Sequence, residues 1–295
     1  MSFPSEQKKD CSSVENLLVR DYHSQFDIDM CIIADTNNTL GCNAREEVIT
    51  SRRDAADEET IYAYDTIGNR LWSASNAATN SYSANCLNQH TAISNLCGSA
   101  YLREPSYDAD GNLISDGIFQ YAYDAKNRLV AVRSASLTNG AIRVLNAYDH
   151  NDRRVRKTVQ RLMLSDSVPP APSQSAEWST TATHSYFYDD WNLIEERIVR
   201  DDGTASTNRY IWEKDLSGSL QGAGGIGGHL AVLVSENTST TPDLSTFQPS
   251  TFQPYFPCYD HNGNIVRYVS ETGAVSSSYS YDPFGNIIAA TAPPR

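Results

Sequence analysis

The stretch Tyr62-Ala-Tyr64-Asp65-Thr-Ile-Gly68-Asn69-Arg70-Leu71 decides how this chain folds. Its two tyrosines are separated by one small residue, and a period of two places both rings on one face of a β-strand. Asp65 then opens a turn, because its carboxylate accepts a hydrogen bond from the backbone two residues further on. Gly68 adopts a positive φ freely, and Leu71 lies in the return strand. The stretch therefore predicts one β-hairpin.

The same phrase returns along most of the chain. The residues that define the repeat are Tyr64, Asp65 and Gly68; Tyr107, Asp108 and Gly111; Tyr123 and Asp124; Tyr148 and Asp149; Tyr188 and Asp189; Tyr259, Asp260 and Gly263; and Tyr281, Asp282 and Gly285. Degenerate copies begin at Tyr82 and Tyr210. The intervals from 64 to 107, 148 to 188 and 188 to 259 are close to two, two and three units of about 21 residues.

An array of such hairpins predicts the fold class. One hairpin is marginally stable in water, so neighbouring hairpins must pair edge to edge and bury a shared aromatic face. We expect an all-β chain of tandem antiparallel hairpins that forms a curled or partial, shell-like sheet, since twisted sheets of many strands do not stay flat. Buried tyrosine hydroxyls need hydrogen-bond partners, and we expect these to be Asp and Arg side chains of neighbouring repeats.

The bulk composition agrees with β-structure and argues against several kinds of partner. The 295 residues include 17 Tyr, a β-favouring residue, and 23 Lys plus Arg against 36 Asp plus Glu give a formal charge of −13. That acidity argues against a nucleic-acid or anionic-membrane partner. Apolar runs stay well below the ~18 residues of a membrane span, so we expect no membrane insertion. The N-terminus has no apolar segment behind its lysines and does not resemble a signal peptide.

Motifs that suggest ligand binding have a simpler structural explanation. Gly222-Ala-Gly224-Gly225-Ile-Gly227 matches a dinucleotide-binding pattern, but the segment after it, 229–234, is typical of a strand where that pattern requires a helix. The segments 108–112 and 260–264 resemble the start of a calcium loop but lack its flanking helices and later glutamate. We expect a tight glycine loop and β-turns, with no cofactor and no metal.

The residue spacing does not assemble a catalytic set. The cysteines at 11, 31, 42, 86, 97 and 258 contain no C-x-x-C pair, which argues against a zinc site and leaves the redox compartment open. The histidines are scattered, and no G-x-S-x-G segment occurs. Adjacent carboxylates such as Asp189 and Asp190 point to opposite faces of a strand. We therefore expect no catalytic residues and no enzyme activity.

The repeat phrase resembles the YD repeats of bacterial Rhs proteins, which also occur in toxin-complex C components and teneurins. The resemblance covers about residues 60–290, and segments 210–228, 255–260 and 281–286 are similar to blocks often seen in Rhs-like proteins. It implies a spiralling β-hairpin shell that in many members encloses a C-terminal toxin and in others acts at the cell surface. It also implies a secreted or cell-surface location, with further shell segments or an enclosed toxin polypeptide as partners.

The chain departs from toxin-carrying members of that family. It contains no Asp-Pro-x-Gly-Leu cleavage motif and no toxin-sized tail, so we expect a truncated member. The expected function is that of a structural, non-catalytic shell segment. The alternative is an adhesion module that binds carbohydrate or protein through exposed aromatics, with Trp191, Trp212, Tyr255 and Phe256 as candidates and glycans as possible partners.

The expected organisation has three parts. Residues 1–58 form a poorly patterned leader or a cap, 59–290 form the hairpin array, and 291–295 form a tail. Loop insertions are expected near 165–183, which is rich in Pro, Ser and Thr, and near 235–254, which contains a direct five-residue duplication. Within the leader, the charged segment 51–59 predicts one or two helical turns, and the segment 30–33 predicts a short strand.

Overall fold

The structure is a computed structural model that describes residues 9–10, 31–32, 38–53, 57–75, 78–95, 101–164, 176–237, 252–260 and 263–291. Every regular element in these ranges is a strand. The strands are β1 (Lys9–Asp10), β2 (Cys31–Ile32), β3 (Asn38–Cys42), β4 (Val48–Arg53), β5 (Glu58–Tyr64), β6 (Arg70–Ser75), β7 (Ala78–Ala84), β8 (His90–Asn95), β9 (Tyr101–Arg103), β10 (Ser106–Tyr107), β11 (Leu113–Ser115), β12 (Phe119–Tyr123), β13 (Leu129–Ser134), β14 (Ile142–Tyr148), β15 (Arg154–Leu164), β16 (Ala176–Asp189), β17 (Asn192–Arg200), β18 (Ala205–Trp212), β19 (His229–Asn237), β20 (Gln253–Tyr259), β21 (Ile265–Ser270), β22 (Val275–Tyr281) and β23 (Ile287–Ala290). The all-β class is confirmed.

The strands form two sheets in which sequence neighbours pair with each other. The first has the order β1-β3-β4-β5-β6-β7-β8-β9, and the second runs from β10 to β23 without a crossover. The pairs are antiparallel, apart from β2, which pairs with β20 in parallel through Cys31 opposite Cys258. Neither order returns to its first strand, so both sheets are open. Tandem antiparallel hairpins in open, many-stranded sheets are what the repeat predicts.

Residue contacts divide the chain into two compact units. Unit 1 contains Met1–Asp29, Ile33–Pro105 and Tyr279–Ala289, and unit 2 contains Met30–Ile32, Ser106–Ser278 and Ala290–Arg295. The buried hydrophobic residues of unit 2 are concentrated in β19 and β20, where Ala231, Val232, Val234, Cys258 and Tyr259 lie. Unit 1 buries Tyr62 and Cys42.

The alternation of the tyrosine phrase determines which side chains are buried. Tyr186 is buried, and Phe187, the next residue, is 42% exposed on the other face of β16. In six hairpins the register shifts at the second tyrosine, for example between Ala63 and Tyr64 and between Phe187 and Tyr188. Such β-bulges re-aim a side chain, and here each bulge precedes the turn that the phrase opens.

The charged segment 51–59 does not form the helical turns that its composition suggested. Residues 48–53 form β4, and residues 58–64 form β5. The pairing of these strands places Arg52 opposite Glu59 and Arg53 opposite Glu58. Arg53 and Glu58 form an ion pair. The opposite charges are therefore matched across two strands, where directly opposed pairs stabilise a sheet, rather than along one helix.

The two expected loop insertions overlap with strands. Residues 165–175 and 238–251 lie outside the described residues, but 176–183 belong to β16, and 235–237 and 253–254 belong to β19 and β20. Threonine-rich sequence at 179–183 is compatible with a strand because β-branched side chains fit a pleated surface. In the expected leader, β3 and β4 pair with each other and β4 pairs with β5, so hairpin pairing already begins before residue 59.

Burial on β15 generates a direct test of the fold. Leu162 is 1% exposed, whereas its neighbour Met163 is 54% exposed. We expect Leu162→Ala to lower the free energy of unfolding by about 2–4 kcal/mol, because the truncation removes apolar contacts and leaves a cavity. Met163→Ala, the matched control, should change it by less than about 0.5 kcal/mol. Urea unfolding followed by circular dichroism measures both, and equal effects of the two variants would contradict the described burial.

Candidate functional site

All repeat aspartates except Asp189 close a five-residue turn through the backbone and the carboxylate. The Asp65 N–H donates to the Asn69 carbonyl at 2.9 Å, and the Gly68 N–H donates back to the Asp65 carbonyl at 3.4 Å. Oδ1 of Asp65 accepts the N–H groups of Ile67 and Asn69, both at 2.9 Å. Oδ2 accepts the Asn69 side-chain amide at 3.0 Å. A turn followed by a left-handed residue is a common short hairpin connection.

This geometry recurs at most copies of the phrase. The corresponding backbone pairs close the turns 108–112, 124–128, 149–153, 260–264 and 282–286. The fourth residue of each turn has a positive φ, and it is Gly68, Gly111, Asn127, Asp152, Gly263 or Gly285. The degenerate copies 85–89 and 215–219 form the same turn, with Asn88 and Gly218 at the positive-φ position. The structure thus places nearly every predicted repeat aspartate at the first position of one turn type.

One further turn is not predicted by the Tyr-Asp phrase, because its first residue is the hydrogen-bond donor and its fifth residue is the acceptor. Asn43 begins a turn of the same geometry, and its side-chain amide donates to Glu47 Oε2 at 2.7 Å. In turn 85–89, Asn85 likewise donates to Gln89 at 2.9 Å. Where the first residue is Asp124, the fifth residue is the donor Arg128, whose Nε lies 2.8 Å from the carboxylate. The first and fifth residues therefore form a complementary donor–acceptor pair. A search of the sequence for such pairs four residues apart would have found turn 43–47.

The fifth residue of a turn also reaches the next turn, and we call this series of contacts the turn ladder. In unit 1, the Asn69 amide donates to Asn88 at 3.2 Å. In unit 2, Asn112 donates to Asn127 at 2.9 Å. Arg128 donates to the Asp149 carbonyl at 3.1 Å and pairs with Asp152 at 2.8 Å. The turn ladder in unit 1 consists of turns 65–69 and 85–89, to which turn 43–47 is joined through its third residue, Arg45, and in unit 2 of turns 108–112, 124–128 and 149–153.

The fifth copy of the phrase departs from this turn. Asp189 still belongs to β16 and is directly opposite Asn192, and Tyr188 is opposite Leu193, so the loop is one residue shorter than in the other copies. Asp190 takes the positive φ of 49°. Arg153 of the preceding turn donates to the Asp190 carbonyl, so the contact from turn to turn is kept although the loop is shorter.

In several hairpins the hydroxyl of the second tyrosine donates a hydrogen bond to an earlier hairpin. The hydroxyl of Tyr148 donates to the Leu129 carbonyl at 2.8 Å, that of Tyr188 to Arg154 at 3.0 Å, and that of Tyr64 to Val48 at 2.9 Å. The accepting carbonyl belongs in each case to the first residue of a return strand. The expected Asp or Arg partners are therefore wrong for these three hydroxyls, although Arg128 and Arg153 do lie over the rings of Tyr148 and Tyr188.

A polar cluster lies on the tyrosine face of unit 2. Glu196 accepts from Asn208 and Tyr210 at 3.2 Å each and lies 2.8 Å from His184 Nδ1. Burial favours the neutral acid, but the hydrogen bonds from His184 and Asn208 outweigh it and lower the pKa of Glu196. Burial and the Glu196 charge raise the pKa of Tyr210. These contacts join β16, β17 and β18 and use the carboxylate as an acceptor.

The glycine-rich segment folds around one buried carboxylate rather than around a phosphate. Asp215 is 5% exposed, and its carboxylate accepts the N–H groups of Ser217, Ala223 and Gly225. Although burial opposes ionisation, these hydrogen bonds and that of the Ser217 hydroxyl lower the pKa of Asp215 to about 2. A Cβ at Gly228 would lie 2.8 Å from the Glu213 carbonyl. The loop joins antiparallel β18 and β19, so the dinucleotide-binding pattern has no helix to act with.

In unit 1 an arginine is enclosed by aromatic rings. The Arg70 guanidinium lies 4.1 Å from the ring centre of Phe284, 5.2 Å from that of Tyr62 and 5.7 Å from that of Tyr82. The rings of Tyr62 and Phe284 are 5.2 Å apart and almost perpendicular. Phe284 belongs to turn 282–286, so the phrase near the end of the chain packs on the hairpins of the first sheet through cation–π and edge-to-face contacts.

The four aromatics suggested as a binding strip do not share one surface. Trp191 is 58% exposed in the loop between β16 and β17, whereas the Trp212 ring lies against His229 and its Nε1 donates to the Leu193 carbonyl at 2.7 Å. Tyr255 and Phe256 are consecutive residues of β20 and therefore face opposite sides of the sheet.

Cysteine chemistry differs between positions. Cys42 is disulfide-bonded, and Cys86 is an exposed free thiol in turn 85–89. Within the described ranges, His, Cys, Asp and Glu side chains form no group of three that could hold a metal ion. The described residues contain no helix that is long and apolar enough to cross a membrane.

Comparison with known proteins links this geometry to a repeat family and to larger relatives. The RHS repeat family model matches residues 259–293. The tRNA nuclease WapA of Bacillus subtilis is 25% identical over 230 residues, which are 76% of this chain and 7% of that protein. The tRNA3(Ser)-specific nuclease WapA of Bacillus spizizenii is 24% identical over 229 residues, with the same coverage. The chain thus spans about 7% of the length of these relatives.

Solved structures of toxin complexes also show similarity. The TcdB2-TccC3 crystal structure matches 86% of this chain and 15% of its own, with 12% identity and a TM-score of 0.36. A Photorhabdus luminescens Tc holotoxin pore structure gives the same coverage and identity, with a TM-score of 0.35.

The hydrogen bonds from tyrosine hydroxyls to backbone carbonyls predict the effect of removing a hydroxyl. We expect Tyr188→Phe to lower the free energy of unfolding by about 1 kcal/mol, because it leaves the Arg154 carbonyl without its side-chain donor. Tyr148→Phe should cost less, since the Asn146 amide still donates to the Leu129 carbonyl at 3.0 Å.

Tyr255→Phe is the matched control, since its hydroxyl donates to the exposed side chain of Gln253. Urea unfolding followed by tyrosine fluorescence gives the three values. Unchanged stability in both Tyr148→Phe and Tyr188→Phe would show that these hydrogen bonds contribute nothing.

The carboxylates of the turns predict a loss of stability in acid. Hydrogen bonding from Arg128 lowers the pKa of Asp124 to about 2, below the roughly 3.9 of an unfolded chain. Stabilisation from such a group is present above pH 4 and is lost as the pH falls towards 2. We expect the melting temperature to fall over this window and to fall less in Asp124→Asn. Asp110→Asn, an exposed change in a neighbouring turn, should keep the wild-type dependence; identical curves for all three proteins would contradict the assignment.

Proposed function

We propose that the chain is an Rhs-type YD-repeat protein that serves as a structural, non-catalytic segment of a toxin-type Rhs shell. The observation that carries the proposal is the turn ladder. Four turns use their fifth residue, which is Asn69, Asn112, Arg128 or Arg153, both to close themselves and to hold the next turn. Polar side chains that would otherwise be available for chemistry are engaged in joining hairpins.

The proposed partners are further segments of the same kind of shell and a toxin polypeptide. Open sheets present unpaired backbone groups at their edge strands, which are ready to pair with further hairpins. The relatives matched by sequence are nucleases, which supports a toxin-associated role. None of them is named for a glycan, and we do not extend the proposal to carbohydrate binding.

We propose a secreted or cell-surface location for the shell. Support comes from the disulfide at Cys42, because disulfides persist in oxidising compartments outside the cytosol.

The nuclease activity named for the relatives is not assigned to this chain. The match covers 7% of their length and corresponds here to hairpins whose histidine and carboxylate side chains take structural positions, such as His184 and Glu196. Under the proposal, the chain contributes the hairpin array, and any nuclease activity would reside in another part of a relative.

An RNA cleavage assay tests the non-catalytic part of the proposal. We expect the purified chain, incubated with total tRNA and Mg²⁺, to leave the tRNA as intact as a heat-denatured sample of the same protein does. Cleavage that is lost on denaturation and in Glu196→Gln would contradict the proposal, because it would assign catalysis to the folded array.

The shell part is tested by sequencing the genomic region that surrounds the coding segment. We expect it to encode further Tyr-Asp phrases at intervals of about 21 residues, together with a toxin-sized domain lacking them. A neighbourhood without any such phrase would favour an independent adhesion module instead.

A further inference from the structure

One face of β13–β18 in unit 2 carries a row of arginines, which we call the arginine face: Arg133, Arg143, Arg156, Arg197 and Arg209. Strand register places them together. Arg133 is directly opposite Arg143, and Arg156 and Arg197 are both opposite Ser185 on either side of β16. Arg209 is directly opposite Glu195, and Glu195 lies two residues before Arg197 on β17. Residues directly opposite each other, or two apart on one strand, share a face.

The two ends of the row are connected through β14 and β15. Leu145 is opposite Thr158. Since Leu145 lies two residues after Arg143 and Thr158 lies two residues after Arg156, these arginines share that face as well. The polar cluster of His184 and Glu196 lies on the opposite side, because each of these residues alternates with a residue of the arginine face.

The guanidinium groups are held in place by neighbours within the sheet. Arg133 Nε donates to Gln120 at 2.9 Å, and Arg143 Nε donates to Gln160 at 2.8 Å. Arg143 also lies 4.4 Å from the ring centre of Trp178. Their terminal nitrogens have no hydrogen-bond partner among the described residues. A guanidinium whose Nε and flat face are engaged in this way presents its two outer nitrogens in a fixed orientation, the geometry that binds carboxylates in a bidentate manner.

The other end of the row has the same construction around one carboxylate. Glu195 accepts Nε of Arg197 at 2.6 Å and Nε of Arg209 at 2.7 Å. Arg197 lies 4.7 Å from the ring centre of Phe187, and Arg209 lies 4.8 Å from that of Phe252. One acid is therefore shared between two bases, and the side chains of these arginines stay 35% and 34% exposed.

The arginine face is locally basic although the whole chain has a formal charge of −13. Among the described residues of β13–β18, Glu195 forms ion pairs with Arg197 and Arg209, and Arg133 and Arg143 are directly opposed like charges. Opposed like charges destabilise a strand pair. A bound anion would remove this repulsion, so the face gains stability from a negatively charged partner.

Apolar side chains between the arginines indicate the kind of partner. Phe187 is 42%, Val199 44% and Ile211 43% exposed, and each lies on the arginine face by the register of β16–β19. Arginine combined with aromatic and aliphatic groups is typical of protein interfaces. Single-stranded nucleic acid needs aromatic faces on which its bases stack, and one guanidinium group already lies over each of the rings of Trp178, Phe187 and Phe252.

We propose that the arginine face is a docking surface for a second protein whose contact region is rich in carboxylates and contains apolar or aromatic side chains. The surface is separate from the turn ladder and does not depend on the shell role, since its register and charge are properties of β13–β18 alone.

Binding of a fluorescent random copolymer of glutamate and tyrosine to the full chain tests the proposal. We expect measurable binding at low salt by fluorescence anisotropy, and weaker binding as salt is raised. Arg143→Gln combined with Arg197→Gln should weaken binding about tenfold or more, since two charge-assisted contacts are lost. Arg52→Gln is the matched control, because it removes an exposed arginine from unit 1 and should leave the affinity unchanged.

Two further measurements separate the proposal from its competitors. The double lysine variant, Arg143→Lys with Arg197→Lys, keeps the charge and should recover part of the affinity, and thermal melting checks that each variant is folded. Polyuridylate tests the nucleic-acid alternative at the same ionic strength. Absence of copolymer binding, equal weakening by Arg52→Gln, or tighter binding of polyuridylate than of the copolymer would overturn the proposal.

Discussion

The side chain at the start of each turn, in most copies an aspartate carboxylate, is the group on which the hairpin array depends. A strand end exposes N–H groups that the sheet cannot satisfy, and one carboxylate oxygen of Asp124 accepts two of them while the other accepts Arg128. Because Arg128 also reaches the next turn, closing one hairpin positions its neighbour. Local turn chemistry and long-range assembly are thus carried by the same side chains, which is why the phrase recurs with so little variation.

The reversed copies show that the constraint is complementarity rather than a particular amino acid. Asn43 with Glu47, and Asn85 with Gln89, exchange the donor and acceptor roles yet keep the same backbone hydrogen bonds. The left-handed fourth position is similarly tolerant, since Glu46, Asn88 and several glycines occupy it. Positive φ costs a side-chain-bearing residue energy, and hydrogen bonds on both sides of that position hold it there.

The sequence alone was sufficient for the class, the hairpins and the first residue of most turns, because alternation and aspartate turns are local properties. It did not suffice where the partner is distant in sequence. The hydroxyl of Tyr188 finds a carbonyl at Arg154, and the charges at 52–59 pair between strands rather than along a helix. The packing of Phe284 against Arg70 likewise joins segments more than two hundred residues apart, and periodicity carries no information on such a contact.

Net charge was an incomplete guide to partners for the same reason. An acidic total argues against polyanions only when charge is evenly spread, and β-structure separates charge by alternation and by turn position. Aspartates collect in the turns, where backbone N–H groups and the fifth residue neutralise them, as at Asp149 with Arg153. Arginines at alternate strand positions collect instead on one face, where Glu195 is shared between two of them. Because the repeat places its aspartates in the turns, the middle of a strand face can be basic although the chain as a whole is acidic. A partner contacts that face, so its local charge and not the net charge of the chain determines binding.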